Sequence, residues 1–379
     1  MNCRLLLFAC ALFLGLTSCQ KESLTETPVR PRDESKELQT LQHQADGLDH
    51  EIQLLLNAPA NGRNGSAVIV PAGSVNALAA AIASVPEGGT VILAGGDHTE
   101  SGSVTVNKTV KIIGQHGARL ISSIQTIPPG IPIQSALYVA DAPGTTITGL
   151  EMVPAGEVGG TGVLIFNSPG TRVYRNTISE YQFGVLVEAS DDVYLASNQI
   201  SISLAWTVGA FGEAHGIVII NGEDAAIFNN DIQHAVFGIW ACDKYGTAVG
   251  NRMHDNLIGL ILCKVPEAAL PLPNGTFVGA EFSATGWTVT NNQAKNNYDT
   301  GYLVIDGANN NYVGISNTAS GNAHYDIELT TDTYRFGFLT PAAFENTVFA
   351  RPNMTVKDCG NDNEVHGGIA VDTNLDPCN

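Results

Sequence analysis

The feature that most constrains this chain is that it repeats itself after 21 residues. The stretch "NNDIQHAVFGIWAC" at 229–242 is replayed by "GNRMHDNLIGLILC" at 250–263, keeping an Asn, a Gly eight positions on, an apolar run and a closing Cys. An Asn followed two residues later by an apolar residue recurs at Asn176, Asn198, Asn230, Asn251, Asn292 and Asn317, at spacings of 22, 32, 21, 41 and 25. The base period is thus 21 to 25, with about ten residues inserted once and about twenty inserted once. Gly184, Gly238 and Gly259 lie eight after their Asn and Gly301 nine after. Gly216 returns to register once the ten-residue insertion is removed. Each Gly opens a short strand: "GVLV", "GIVI", "GIWA", "GLIL", "GYLV". Short strands at a period of twenty-odd residues specify a solenoid, in which each repeat buries its apolar face on its neighbours. Forty Gly residues, 44 % hydrophobic residues and only 15 % charged ones suit many short strands joined by tight turns.

The entry to the repeats is "SVNALAAAIASVPEGGTVILAGG", with an amphipathic helix over 74–85 ahead of Pro86. A helix there would cover the apolar cross-section and unpaired edge of a first rung. Helix and repeats together resemble pectin-lyase-like proteins of the parallel β-helix repeat type over about 66–330. The resemblance implies an all-β fold, a single-stranded right-handed parallel β-helix with an N-terminal capping helix. It would occupy 66–379, with loop insertions near 204–213 and 265–286. Equivalent residues would then stack one strand spacing apart, about 4.8 Å. The six Asn become an internal ladder, and Cys242 and Cys263 become neighbours, as a disulfide or as stacked thiols. Cys359 and Cys378 close a 20-residue loop and are expected to pair, as a clip on the last coil worth about 3 kcal/mol.

The N-terminus indicates export. Arg4, the apolar run "LLLFACALFLGL" and "LTSC" form a signal peptide over 1–18, too short to span a bilayer. "LTSC" resembles a bacterial lipobox, which makes Cys19 the lipidated residue. "QKES" resembles the export motif of Bacteroidetes surface lipoproteins. The expectation is an outer-membrane lipoprotein of the cell envelope, exposed at the surface and touching the membrane through its lipid alone. A polar tether over 19–36 leads into a helix over 37–57, where Leu38, Leu41, Ala45, Leu48, Ile52 and Leu55 make a heptad seam. The seam suits a helix lying on its own domain, or a stalk forming a homo-oligomer through residues 38–55.

Net charge is −19, from 37 acidic and 18 basic residues, which repels nucleic acid. Departures from the repeat mark candidate sites. Asp191, Asp192, Glu223 and Asp224 fall on adjacent turns seven residues before their ladder Asn. Such stacked carboxylates would bind Ca²⁺ or splay into water, with Lys244 on the next rung taking part of the charge. His234, His254, Asp255 and Lys295 lie three or four after their Asn on successive rungs, with Tyr181 close by. They form a polar corner, or supply the base and cation for β-elimination on a uronate. The insertions carry Trp206, Phe277 and Trp287, candidates to stack on sugar faces.

Polygalacturonases have this fold, but their motifs are not matched. Asn176-Thr177 is followed by Ile178, and there is no Arg-Ile-Lys. His215-Gly216 stands in the matching place, yet His215 shares its repeat position with Phe183 and Phe237 and is expected to stack with them. The pectate-lyase and alginate-epimerase arrangements are not recognisable either. The expected partner is a polysaccharide or cell-surface glycan, bound and, in the sharper reading, cleaved by β-elimination. The alternatives are a non-catalytic adhesin or envelope scaffold, and a metal-handling factor resembling copper-site maturation proteins. Nine His and four Met speak against the last.

Overall fold

The computed structural model describes residues 33–57, 67–124, 134–156, 159–202, 214–265, 282–331, 341–373, 375–376 and 378. Each repeat folds into one turn of a coil with three strands, and every strand pairs in parallel with the strand one repeat on. The sole antiparallel pair among the described residues, Lys264–Val265 with Phe282–Ser283, forms the base of the second insertion. The first face is exemplified by Tyr181–Glu188, His215–Glu223 and Phe237–Lys244. The second face contains Arg172–Tyr174, Tyr194–Ala196 and Ala226–Phe228. The third is a nine-stranded sheet running from Gly96–Glu100 to Thr318–Ser320. This is a parallel β-helix, with one continuous apolar core filling the coil.

The corners explain the repeated Asn. Between the second and third faces, the Oδ1 of each ladder Asn accepts the backbone N–H and the Nδ2–H of the Asn one rung earlier. The chain runs unbroken from Asn176 through Asn198, Asn230, Asn251 and Asn292 to Asn317, at 2.9–3.2 Å. Each Nδ2 also donates to a carbonyl one rung back, as Asn251 does to Ile227 at 2.8 Å. The residue before each ladder Asn from Asn176 to Asn292 has a left-handed backbone (Arg175, Ser197, Asn229, Gly250, Asn291), the sharp bend that turns the chain inward. Two further ladders went unforeseen. Asn256, Asn297 and Asn322 line the corner between third and first faces. Asn311, Asn346 and Asn363 line the remaining corner of the later coils. The Gly at each first-face strand is required by close approach: a Cβ on Gly184 would lie 2.6 Å from the Gly216 carbonyl oxygen.

Helix α2 (Leu78–Ser84) is the expected lid, burying Leu78, Ala81 and Ile82 on the core. It starts later than residue 74 because Asn76 has a left-handed backbone, incompatible with a helix, and Val75 bridges Thr99 instead. Glu100 accepts the Leu78 N–H at 2.9 Å and so caps α2 from the next rung.

Helix α1 (Glu34–Asn57) begins three residues before the expected start, with Asp33 at its N-cap and Glu34 and Glu37 in its first turn, where carboxylates suit the helix dipole. Its seam packs on its own solenoid: Leu41, Ala45, Leu48 and Ile52 bury against Tyr174, Tyr194, Phe228 and Val249 of the second face. That corrects the oligomerising stalk through residues 38–55, because the apolar stripe such a stalk needs is already covered. Glu34 accepts the N–H groups of Ile315 and Ser316, and at the other end Glu51 pairs with Lys111. In-register pairing puts seven strand spacings between Lys111 and Tyr312. Seven spacings span roughly 34 Å and a 24-residue helix about 36 Å, so α1 straps eight consecutive rungs. No helix among the described residues is long and apolar enough to cross a membrane.

Both cysteine pairs are disulfides, Cys242–Cys263 with Cα atoms 5.0 Å apart and Cys359–Cys378 at 5.5 Å. The second brings the C-terminal segment to the last coil. There the Asp376 carboxylate meets the ammonium of Lys357, a fully buried side chain, at 3.0 Å.

Candidate functional site

From Thr177–Ser179 onward the strands of the third face are three residues long, so the middle side chain points into the coil and the outer two point to solvent. Ile178, Ile200, Ile232 and Met253 fill the core. The outward positions align in two columns, Thr177–Gln199–Asp231–Arg252 and Ser179–Ser201–Gln233–His254. These eight side chains line a groove of about 430 Å³ across four rungs. At its later end the charges are paired. His254 Nε2 lies 2.8 Å from Asp231 Oδ1 and Nδ1 lies 2.7 Å from Asp255 Oδ2, while Arg252 reaches Asp231 at 3.7 Å. Gln233 donates to Ser201 at 3.3 Å. Thr177, Ser179 and Gln199 make no side-chain hydrogen bond within the described residues.

The expected base cluster is only partly assembled. His254 and Lys295 are register neighbours, and Asp255 holds His254. With both ring nitrogens against carboxylates, His254 cannot take a substrate proton without losing one of those bonds. His234 sits exposed at the left-handed turn residue. Tyr181 is buried inside the coil with its hydroxyl against Ser122 at 2.9 Å, and burial pushes its pKa well above the ordinary phenol value. Asp231, the residue that ties the site together, was missed by reading along the ladder offset alone. Its contact to His254 is diagonal across the strand pair.

The acidic corner forms as aligned. Asp192 and Asp224 take the same left-handed turn position, and the Asp192 N–H donates to the Glu223 carbonyl at 3.0 Å. Asp191 accepts the Glu223 N–H at 3.0 Å, and Lys244 pairs with Glu223 at 3.3 Å. Partial burial, then the neighbouring charges of Asp192, Glu223 and Asp191, holds the Asp224 carboxyl above the usual carboxylate range. Asp192 and Asp224 border a second concavity of about 480 Å³ beside α1, with Glu51 and Arg172. Among the described residues, no three His, Cys, Asp or Glu side chains converge closely enough to hold a metal ion.

Of the aromatic candidates, Trp206 and Phe277 lie outside the described residues, as do Cys19 and most of both insertions. Trp287 is not on the surface: it is fully buried in the coil, filling the room left by Gly246, and its indole N–H donates to Asp243 at 3.0 Å. An aromatic at a corner facing inward packs rather than binds. His215 stacks on Phe237 at 4.9 Å and against Phe183 at 5.4 Å, as its repeat position implied.

Comparison with known proteins follows this architecture. A family model described as "Periplasmic copper-binding protein (NosD)" matches residues 97–269, less than half of the chain. Soft donors for copper are not presented there: Met152 and Met253 are buried in the core and Cys242 is joined to Cys263. No curated protein matches. Among solved structures, the mannuronan C-5 epimerase AlgE4 A-module of Azotobacter vinelandii is similar at 15 % identity and a TM-score of 0.47, over 75 % of this chain and 89 % of that one. The alginate lyase of Paenibacillus sp. str. FPU-7 is similar at 12 % identity and a TM-score of 0.39, over 81 % and 99 %. The periplasmic alginate epimerase AlgG is similar at 12 % and 0.42, over 84 % and 82 %. On its own strand pairing, the chain is a parallel β-helix protein.

Proposed function

We propose that this protein is an envelope lipoprotein that binds an extracellular polysaccharide along the groove of its third face. The observation that carries the reading is the two in-register columns of outward polar side chains over four rungs. A linear polymer of hydroxyl-bearing rings presents its own hydrogen-bonding groups at regular intervals, and a rigid sheet presents partners at regular intervals with little ordering cost. The carbohydrate-acting proteins named above are compatible with this role without carrying it. Cleavage by β-elimination draws no support from His254, whose ring is held by Asp231 and Asp255. Calcium at Asp191, Asp192, Glu223 and Asp224 rests on charge density alone.

Binding is tested by titrating the mature chain against a polysaccharide panel. Gln199→Ala with Gln233→Ala should weaken binding about tenfold or more while leaving the melting temperature unchanged. A panel with no binder leaves the scaffold or adhesin reading in its place. Anchoring through Cys19 and display at the surface rest on the lipobox-like "LTSC" and on "QKES". Cys19→Ala should move the protein from the membrane fraction to the soluble one, and membrane retention of that variant would sink the anchor.

A further inference from the structure

We infer that the ligand of the third-face groove is a neutral polysaccharide lying along the solenoid axis, about one sugar ring per rung, and not a uronate polymer. The inference deepens the glycan-binding reading above and rests on it. Charge decides the ligand class. The groove's two basic side chains are occupied by its own acids: Asp231 takes His254 Nε2 and Arg252, and Asp255 takes His254 Nδ1. A sugar carboxylate entering here would meet no unpaired cation in the lining, against a chain carrying −19. Lys295, one rung beyond His254 and outside the lining, is a cation without an ion-pair partner among the described residues.

What remains for a ligand is neutral. Among the described residues, the hydroxyls of Thr177 and Ser179 and the amide of Gln199 have no side-chain hydrogen-bond partner, and each both donates and accepts, as sugar hydroxyls do. Direction follows from register. Each rung repeats an outward pair at one strand spacing, so the array is periodic along the axis and not across it. Four rungs span roughly 14 Å, three spacings of about 4.8 Å. With no aromatic among the described lining residues, affinity should accumulate ring by ring and stop rising when the groove is full, at about four rings.

The test compares neutral β-linked glucose, xylose and mannose oligomers, from disaccharide to hexasaccharide, with mannuronate and galacturonate oligomers by calorimetric titration at low and high salt. Expected are binding of a neutral series, affinity climbing to about the tetrasaccharide and flat beyond, and indifference to salt. Gln199→Ala with Gln233→Ala should weaken it about tenfold or more, the loss of two amide partners. Lys295→Ala should change nothing. Tighter binding of uronates that falls with salt, or is lost in Lys295→Ala, overturns the neutral ligand while leaving glycan binding intact. Binding that survives the double Gln substitution puts the sugar elsewhere and overturns the groove assignment. Failure of both sugar classes overturns the glycan-binding reading itself.

Discussion

Replacing Asn251 by alanine removes the centre of the corner ladder, and the consequences can be worked bond by bond. Asn251 is 0 % exposed. Its Oδ1 accepts the Asn230 N–H at 3.0 Å and the Asn230 Nδ2–H at 3.0 Å, and its Nδ2 donates to the Ile227 carbonyl at 2.8 Å and to Asn292 Oδ1 at 3.0 Å. In the variant the Asn230 N–H is buried without its partner, which costs about 1–3 kcal/mol, and the other lost bonds add about 1 kcal/mol each. Some are softened, because Asn230 Nδ2 keeps the Leu195 carbonyl and Asn292 Oδ1 keeps the Asn251 N–H. The expected loss is about 4 kcal/mol. Asn251→Asp discriminates the cause. It preserves shape, yet turns an oxygen toward the Ile227 carbonyl and Asn292 Oδ1 and brings a charge into the core. If hydrogen bonding holds the corner, Asp is worse than Ala; if packing does, Asp is mild. Urea unfolding should be followed by circular dichroism and by tryptophan fluorescence, with exposed Gln293→Ala as a control expected within about 0.5 kcal/mol of the parent. A change in m-value would reveal rung-by-rung unfolding instead of one transition. The reasoning fails if Asp costs less than Ala, or if Ala is indistinguishable from the control.

Three other outcomes follow from the same geometry. Gly47→Ala should stabilise by about 0.5–1 kcal/mol, because Gly47 lies inside α1 and an added Cβ meets nothing within 4 Å, so melting temperature should rise. Burial, partly offset by the hydrogen bond from Asn221, pushes the Glu188 carboxyl up to about 7. The folded state therefore holds that proton more tightly than the unfolded chain: its stabilisation is complete below about pH 4 and lost as pH rises through about 7. Glu188→Gln should accordingly be the more stable form above neutrality, by about 3 kcal/mol at most, and unfolding at several pH values checks whether the curves converge in acid. At the acidic corner, Asp192→Asn with Asp224→Asn should raise the melting temperature near neutrality without metal, since Asp224 is held above the usual range by burial and its neighbours. If Ca²⁺ binds there, millimolar Ca²⁺ raises the parent's melting temperature and not the variant's, and an equal rise in both places the cation elsewhere.

Much of the fold was legible because a solenoid converts sequence period into position. Residues one period apart must stack, so the Asn176–Asn317 ladder, the Gly column, the Cys242–Cys263 neighbours and the Phe183–His215–Phe237 stack could all be read from spacing. The Asn256, Asn297 and Asn322 ladder obeys the same rule, five residues after Asn251, Asn292 and Asn317, and is a second column of the same period. Where the period is silent, residue type misled. Trp287 sits next to an insertion, where its residue type suggests a surface aromatic, but its place at the corner beside Gly246 turns it inward.

The sequence by itself therefore determined the coil, its core and its corner bonds, because those depend on residues separated by a fixed number of positions. Only the tertiary structure decided what α1 does and what His254 faces. A heptad seam is equally apolar whether it meets a second copy or its own second face, and the choice fell to the match between a 24-residue helix and eight rungs. Asp231 reaches His254 diagonally, from the first outward column to the second, and such a contact depends on side-chain direction across the strand pair rather than on the repeat.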